Sequence, residues 1–260
     1  MRRKSLHCWS FLTAIFFSFC ISSAQAKNYS DLKVDDIKWV KVEELHPTQF
    51  RVGRVEVEQK RADFEKMSEK ELNKYLDKHP CPVVIGPDGV PFITDQHHRV
   101  FAFYEAEQTR GTDAQKLLSK KGKPQVKMKV IANFSDLSHS DFEKAMVRNH
   151  YTYLNDLGKP RTFDEIPSLI YDLKDDPFRS IAGFVQDKAY KFDPGTFFTQ
   201  FTVADFLRER SGVANDEAQR ILADGGTKEK TLLQNVTTLL QSREAKGQTW
   251  FLSPCAGYLR

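Results

Sequence analysis

Residues 82–99 read PVVIGPDGVPFITDQHHR. Two short apolar runs, Val83–Ile85 and Pro91–Thr94, flank the turn Gly86–Gly89, and this pattern predicts a β-hairpin. The polar segment Asp95–Arg99 follows at once and precedes apolar residues at helical spacing, which predicts that a helix begins there. The stretch therefore predicts strand, turn, strand and helix, with the start of the helix held next to a buried sheet.

The segment Asp95–Arg99 is the candidate functional site. A helix N-terminus presents unpaired backbone N–H groups and the positive end of the helix dipole, which together bind anions, phosphate in particular. Asp95 is expected to cap the helix by accepting from the amides two and three residues further on. The Arg99 guanidinium supplies donors that suit phosphate oxygens. The segment contains four predicted phosphate-binding residues: Asp95, Gln96, His98 and Arg99.

The adjacent residues His97 and His98 are the candidate titratable groups of this segment. Successive residues of a helix differ in direction by about 100°, so the two rings cannot both face one ligand. One ring is expected to contact the ligand while the other braces the strand or relays a proton. Each residue taken singly has a structural explanation, but two histidines and an arginine in one turn favour a functional site.

A carboxylate from elsewhere in the chain could complete the chemistry. Glu56 lies in a segment that is expected to cross the site, where it could act as a general base on water or a hydroxyl. The alternative is a solvated Glu on a strand. The predicted catalytic residues are Glu56, His97 and His98. A divalent metal could assist, and the plausible hard ligands for it are Asp95 and Glu56.

Three cationic residues are candidates for support of the site. Arg54 and Lys60 could add positive charge to it, although surface positions are the alternative for both. Arg179 is predicted in the first turn of a helix, where the dipole disfavours a cation. This placement suggests a partner, either an acid such as Asp95 or a ligand phosphate, with a solvated arginine as the alternative.

The remaining patterns define the fold class. Ile37–Val42 and Val126–Ile131 alternate as half-buried strands do, and Ser68 with Glu71 forms a capping box that opens a helix closed by Pro80. From residue 134 onward the patterns are mainly helical. We therefore predict an α+β fold, with a small mixed sheet and helices over residues 27–133. A mainly helical region over residues 134–260 is expected to pack on it.

Helix boundaries in the second half are marked by local signals. Ser138 is a cap, and Asp176–Pro177 opens another helix with proline at the favoured first position. Residues 198–207 form an aromatic-rich helical stretch. The last helix carries a leucine-rich apolar stripe, with Thr227 as its predicted cap and its end near Gly247. The apolar tail, residues 250–258, is expected to dock on the body.

The first 26 residues resemble a secretory signal peptide. A basic start precedes the apolar run 11–21, which is too short to span a bilayer comfortably, and Ala24–Ala26 has the small-x-small pattern of a cleavage site. A membrane anchor is the alternative. Cleavage after Ala26 removes three positive charges and no acids, so the formal net charge falls from +4 to +1. We expect an exported protein, periplasmic or secreted, without a strong nucleic-acid signal and without a membrane anchor after cleavage.

Two cysteines, Cys81 and Cys255, remain after that cleavage. A disulfide between them is one possibility in an oxidising compartment, but the sequence does not show the geometry that the bond needs. Neither cysteine has a CxxC partner, which argues against a metal site built on them.

The first half of the mature chain resembles the N-terminal domain of the ParB/sulfiredoxin superfamily. The similarity is carried by the turn Leu45–Gln49, the strand Pro82–Ile85 and a turn-helix motif that ends in His-Arg. ParB proteins have a Gly-Glu-Arg-Arg box here and sulfiredoxins a Gly-Cys-His-Arg box, whereas this chain has Gln96–Arg99. With His97 in place of the sulfiredoxin cysteine, thiol chemistry is not expected.

Two branches of the superfamily are closer. Free-serine kinases of this fold resemble the chain through Asp95, His97, His98 and Arg99. The group of ParB-like nucleases resembles most of the mature chain. Its characteristic segments match residues 46–49, 52–57, 175–183 and 204–208.

Three functions compete at this stage. The first is an exported phosphoester hydrolase that resembles a nuclease and acts on a phosphate-bearing small molecule or nucleotide. The second is a phosphotransferase similar to the serine kinases, although nucleoside triphosphate is scarce outside the cytoplasm. The third is a non-catalytic module that binds phosphate or a nucleotide. The sequence does not indicate an oligomeric state, and ParB-type DNA partitioning is not expected because no helix-turn-helix pattern is visible.

Overall fold

The computed structural model describes residues 27–109, 124–190 and 198–242. The described part has an α+β fold, as predicted, with a small mixed sheet and a helical second half. Its strands are β1 (Ile37–Lys41), β2 (Arg51–Val52), β3 (Cys81–Ile85), β4 (Pro91–Ile93), β5 (Gln125–Asn133), β6 (Asn155–Asp156), β7 (Lys159–Pro160) and β8 (Lys174–Asp175). Its α-helices are α1 (Arg54–Lys66), α2 (Glu69–Lys78), α3 (His97–Thr109), α4 (His139–Arg148), α5 (Pro177–Val185), α6 (Thr199–Arg210), α7 (Asn215–Asp224) and α8 (Gly226–Leu240).

The main sheet has four strands in the order β1-β5-β3-β4. β3 pairs in parallel with β5 and antiparallel with β4, which confirms the predicted hairpin. β1 pairs antiparallel with β5 at the edge. A separate ladder joins the two halves of the chain, because β2 pairs in parallel with β8.

Local signals placed most helix starts correctly. The Ser68 hydroxyl accepts from the amide of Glu71 and the Glu71 carboxylate accepts from the amide of Ser68, so the predicted capping box is present at α2. The side chains of Ser138 and Asp176 likewise cap α4 and α5. Such caps depend on residues within one turn, which explains why sequence predicts them.

Two predicted helix boundaries were wrong. The last helix begins at Gly226, so Thr227 lies inside its first turn and does not cap it. The left-handed Gly225 begins this helix instead. The helix ends at Leu240 rather than near Gly247, with Gln241 as its C-terminal cap.

Buried side chains form two large clusters and one small one among the described residues. The first cluster runs from Tyr29 to Leu173 and fills the space between the main sheet and helices α1 and α3. The second runs from Phe178 to Leu240 and is formed by α5–α8. The small one joins Val84 to α4. The predicted division at residue 133 stays a prediction.

Several predictions concern segments outside the described residues. They are the signal peptide over residues 1–26, the partner cysteine Cys255 and the apolar tail over residues 250–258. Cys81 itself is fully buried. Among the described residues, no helix combines the length and the apolar character that crossing a bilayer requires.

Candidate functional site

The two histidines at the start of α3 accept hydrogen bonds from the backbone segment that leads into α1. Nε2 of His97 accepts from the amide of Thr48 at 3.2 Å, and Nε2 of His98 accepts from the amide of Gly53 at 2.9 Å. Both side chains are buried. The two bonds satisfy backbone N–H groups that would otherwise be buried without a partner, so the histidines fix the segment that enters α1.

These hydrogen bonds require neutral rings with an unprotonated Nε2. Burial lowers the pKa of His98 well below its ordinary value, and the charges of Arg179 and Lys60 lower it further. Burial lowers the pKa of His97 in the same way, and a proton on His98 and the charge of Arg179 lower it further. While it holds Gly53, His98 cannot donate through Nε2 to Oε2 of Glu56, which lies 3.7 Å away.

Arg99 is directed to the start of β3. Its Nη2 donates to the carbonyl of His79 at 2.5 Å and to Sγ of Cys81 at 3.3 Å, and its guanidinium lies 6.0 Å from the centre of the Tyr75 ring. Burial raises the pKa of Cys81 to about 11 in spite of this cation. In the described structure Arg99 therefore fixes a strand, and its contact with a phosphate stays a prediction.

The predicted cap at Asp95 was wrong. Helix α3 begins at His97, and the exposed Asp95 carboxylate accepts from the neighbouring amide of Gln96 at 2.6 Å. Gln96 has φ of 71°, a left-handed conformation that side chains other than glycine disfavour. The amide oxygen Oε1 of Gln96 is buried without a hydrogen-bond partner among the described residues. The position that is glycine in related boxes is therefore a strained glutamine here.

Glu56 lies in the first turn of α1, not on the strand that its sequence suggested. Its Oε1 is 3.5 Å from Nζ of Lys60, and its side chain is 22% exposed. Its other oxygen, Oε2, is buried and accepts no hydrogen bond from the described residues. A buried carboxylate oxygen without a donor is costly, so a donor from outside the described residues, either a water or a ligand, is expected at Oε2.

Arg179 is the most unusual residue of the cluster. It is 4% exposed, and its Nε and Nη1 have no hydrogen-bond partner in the described part of the chain. No described carboxylate lies within ion-pair distance of it, and the predicted partner Asp95 does not contact it. Its guanidinium stacks over the Phe201 ring at 3.4 Å. Burial lowers the pKa of Arg179, and the nearby Glu56 and Asp176 oppose that shift.

The two halves of the chain meet closely at this point. A Cβ added to Gly53 would lie 2.6 Å from Oγ and 2.7 Å from the amide nitrogen of Ser180, so α5 packs directly against the entry to α1. The amide of Arg54 donates to Asp175 at 2.9 Å, while its guanidinium pairs with Glu105 at 2.8 Å. Arg54 therefore joins α1 to α3 and β8 rather than facing Glu56.

The structure thus brings together four of the predicted residues and separates others from them. Glu56, Lys60, His98 and Arg179 form one cluster, while Asp95 and Arg99 contact other parts of the fold. The sequence prediction missed further members of the cluster, which are Ser180, Gly183, Gln200 and Phe201. The cation predicted in the first turn of a helix, Arg179, was the residue of α5 that the sequence connected with the site.

A metal site at the predicted ligands gains no support from geometry. Among the described residues, no group of three or more His, Cys, Asp or Glu side chains is placed to hold a metal ion. The pair Asp95 and Glu56 is not joined by any described contact, and a metal held by them stays a prediction.

Comparison with known proteins identifies the family. The family model described as "Putative ParB-like nuclease" matches residues 38–209. The chain belongs to the ParB-like nuclease family. It is also similar to the crystal structure of protein Atu1540 from Agrobacterium tumefaciens, with 30% sequence identity and a TM-score of 0.64. That match covers 81% of this chain and 93% of the other. Among curated proteins, no sequence matches.

Membership of the ParB-like nuclease family confirms the resemblance found in the sequence. The matched range includes both halves of the candidate cluster, since it extends from β1 into α6. Fold and family leave the reaction open, because related folds support different chemistry. The reaction has to be inferred from the residues of the site.

Proposed function

We propose that this ParB-like protein is a phosphoester hydrolase whose centre is Arg179 and Glu56. The observation that carries the proposal is the buried Arg179, two of whose nitrogen atoms, Nε and Nη1, have no hydrogen-bond partner among the described residues. An arginine kept out of water without a carboxylate is destabilising unless a ligand supplies the negative charge. The planar guanidinium fits phosphate oxygens, which makes a phosphate group the ligand that suits it best.

Glu56 supplies the second function of the site. Its Oε2 lies in the same cluster as Arg179 and has no hydrogen-bond donor among the described residues. A carboxylate that faces a bound phosphate can accept a proton from water as that water attacks phosphorus. Lys60, whose Nζ lies 3.5 Å from Oε1 of Glu56, adds positive charge where the phosphoryl group would lie.

The remaining residues position this pair. His98 holds the amide of Gly53 and thereby the N-terminus of α1, which carries Glu56. Phe201 covers one face of the Arg179 guanidinium, which limits its access to water and directs its N–H groups toward the cluster. Export of the protein and a nucleotide or other phosphoester as substrate belong to the same proposal.

Turnover of a panel of phosphomonoesters and phosphodiesters tests the proposal. We expect Glu56→Gln to lower kcat about 100-fold or more, since a general base contributes at least that much. We expect Arg179→Met to abolish measurable binding of inorganic phosphate in calorimetry. Matched controls are Glu58→Gln and Arg220→Met, which change the exposed side chains of Glu58 and Arg220.

Stability measurements separate a ligand site from a structural role. Replacing an unpaired buried cation by an apolar side chain of similar length removes an uncompensated buried charge, so stability should stay the same or rise. If Arg179→Met instead unfolds at a clearly lower urea concentration, Arg179 holds the fold together and the proposal is wrong. If phosphate binds to Arg179 but no panel member turns over, the protein is a non-catalytic phosphate-binding module.

A further inference from the structure

Asp176 is the acidic residue nearest to Arg179 along the chain, yet the two side chains do not form an ion pair. Asp176 caps α5, and the amide of Arg179 donates to the carbonyl of Asp176 at 3.0 Å. In a capping box, a side chain at the third helical position reaches back to the cap, so these two could meet. Both residues are buried, with 4% exposure each. An unpaired buried cation this close to a buried acid needs an explanation.

Arg208 of α6 occupies the carboxylate of Asp176 instead. Its Nη2 donates to Oδ2 of Asp176 at 2.6 Å. The other carboxylate oxygen, Oδ1, accepts from the amide of Phe178 at 3.0 Å. The Arg208 side chain is 12% exposed, so salt screens this ion pair only weakly. Each oxygen of Asp176 therefore already has a donor that does not come from Arg179.

Arg208 also holds a second acid and, through it, the aromatic residues beside Arg179. Its Nη1 donates to Oδ1 of Asp205, whose Oδ2 accepts from the hydroxyl of Tyr153. The centre of the Tyr153 ring lies 4.4 Å from that of Phe201, the ring over which the Arg179 guanidinium stacks. One arginine thus pairs with two carboxylates, while the other is left without one.

We propose that Arg208 is a positioning residue, which keeps Arg179 unpaired by occupying Asp176. This inference rests on the proposed phosphate site at Arg179. Without Arg208, Asp176 would be a buried carboxylate without a cation, and the Arg179 guanidinium could supply one. Pairing of these two would use the N–H groups that the phosphate needs. The ligand would then have to displace a carboxylate, and its affinity would fall.

Three variants test this role: Arg208→Met, Asp176→Asn and the variant with both changes. We expect Arg208→Met to raise the Kd for inorganic phosphate in calorimetry about 10-fold or more, since hydrogen bonds to charged groups contribute that much. With Asp176→Asn already present, the Arg208 change should alter the Kd less than about twofold, because no carboxylate remains to pair with Arg179. An equal loss in both backgrounds would show that Arg208 acts through its own charge or packing, and would overturn the proposal.

Asp176→Asn alone gives a test that does not depend on whether Arg208→Met folds. Asparagine is as good a helix cap as aspartate, so α5 should keep its start. We expect phosphate to bind with the same or a lower Kd, because a nearby negative charge is gone. Weaker binding, measured on protein that circular dichroism shows to be folded, would overturn the proposal. The control Arg220→Met changes an exposed arginine that pairs with Asp216, and it should bind phosphate as wild type does.

A crystal structure of Arg208→Met gives a readout that needs no ligand. We expect Nε or Nη1 of Arg179, which have no partner among the described residues, to lie within ion-pair distance of Asp176. If the two side chains stay apart, the inference is wrong even if phosphate binds. If the pair forms but wild type binds no phosphate, the proposed phosphate site fails while the role of Arg208 stands.

Discussion

Acidification should destabilise the protein through the two histidines of α3. Both rings are neutral in the folded state, because burial and nearby cations lower their pKa values well below 6.5. In the unfolded chain both rings take up protons near pH 6.5. Between the folded and unfolded pKa values the unfolded state binds more protons, so stability is full above about pH 6.5 and falls as the pH drops.

The expected magnitude follows from proton linkage. Each histidine that stays neutral when folded contributes a loss of about 1.4 kcal/mol between about pH 7.5 and pH 5.5, so the pair contributes about 2.7 kcal/mol. Protonation of Nε2 in the folded state would also break the bonds to the amides of Thr48 and Gly53. A change of this size is a large part of the stability of a typical domain.

Urea unfolding followed by circular dichroism at several pH values measures this loss. Glutamine places an amide oxygen near the position of Nε2 without a titratable proton, so His97→Gln and His98→Gln should each remove about half of the pH dependence. In the double variant, His97→Gln with His98→Gln, a smaller dependence should remain, because partial burial also lowers the pKa of His46. The control His139→Gln changes an exposed imidazole and should behave as wild type.

The double variant decides whether the histidines cause the effect. If it loses as much stability as wild type between pH 7.5 and 5.5, other groups are responsible. Asp175 and Asp205 do not explain such a loss. Burial raises the pKa of both carboxyls, so their contribution to stability has the opposite sign and grows as the pH falls.

Two further substitutions test the local geometry. Gln96→Gly should raise the free energy of unfolding by about 1 kcal/mol, because glycine adopts φ of 71° without strain, and urea unfolding that shows a loss would contradict this. Gly53→Ala should lower it by about 2 kcal/mol or more, because the new Cβ would lie 2.7 Å from the amide nitrogen of Ser180, and a midpoint equal to wild type would show that α5 moves away at little cost.

Elements defined by neighbouring residues were predictable from the sequence. The α2 capping box, the hairpin of β3 and β4 and the proline at the start of α5 each depend on contacts within a few positions. The end of α8 was not predictable in this way, because an apolar stripe does not show where packing ends. The start of α3 was also displaced, since Gln96 takes a backbone conformation that its residue type disfavours.

The site was only partly predictable from the sequence, because its residues are far apart along the chain and meet only in the folded protein. Glu56, His98 and Arg179 were identified as candidates, and the segment with Glu56 was expected to cross the site, but the sequence did not show that α5 meets α1 and α3. That meeting depends on the two-residue ladder of β2 and β8, which is too short to leave a pattern. The sequence likewise did not predict the hydrogen bonds of Arg99, because the presence of an arginine does not show which groups it donates to.

The position of the short ladder between β2 and β8 has a consequence for how the protein folds. β8 lies between Leu173, the last residue of the first buried cluster, and Phe178, the first residue of the second. Glu56 and His98 belong to helices of the first cluster, whereas Arg179 belongs to a helix of the second. A nascent chain can therefore complete its sheet before the cation is in place. The proposed binding centre, which takes residues from both clusters, can form only once the two halves have docked.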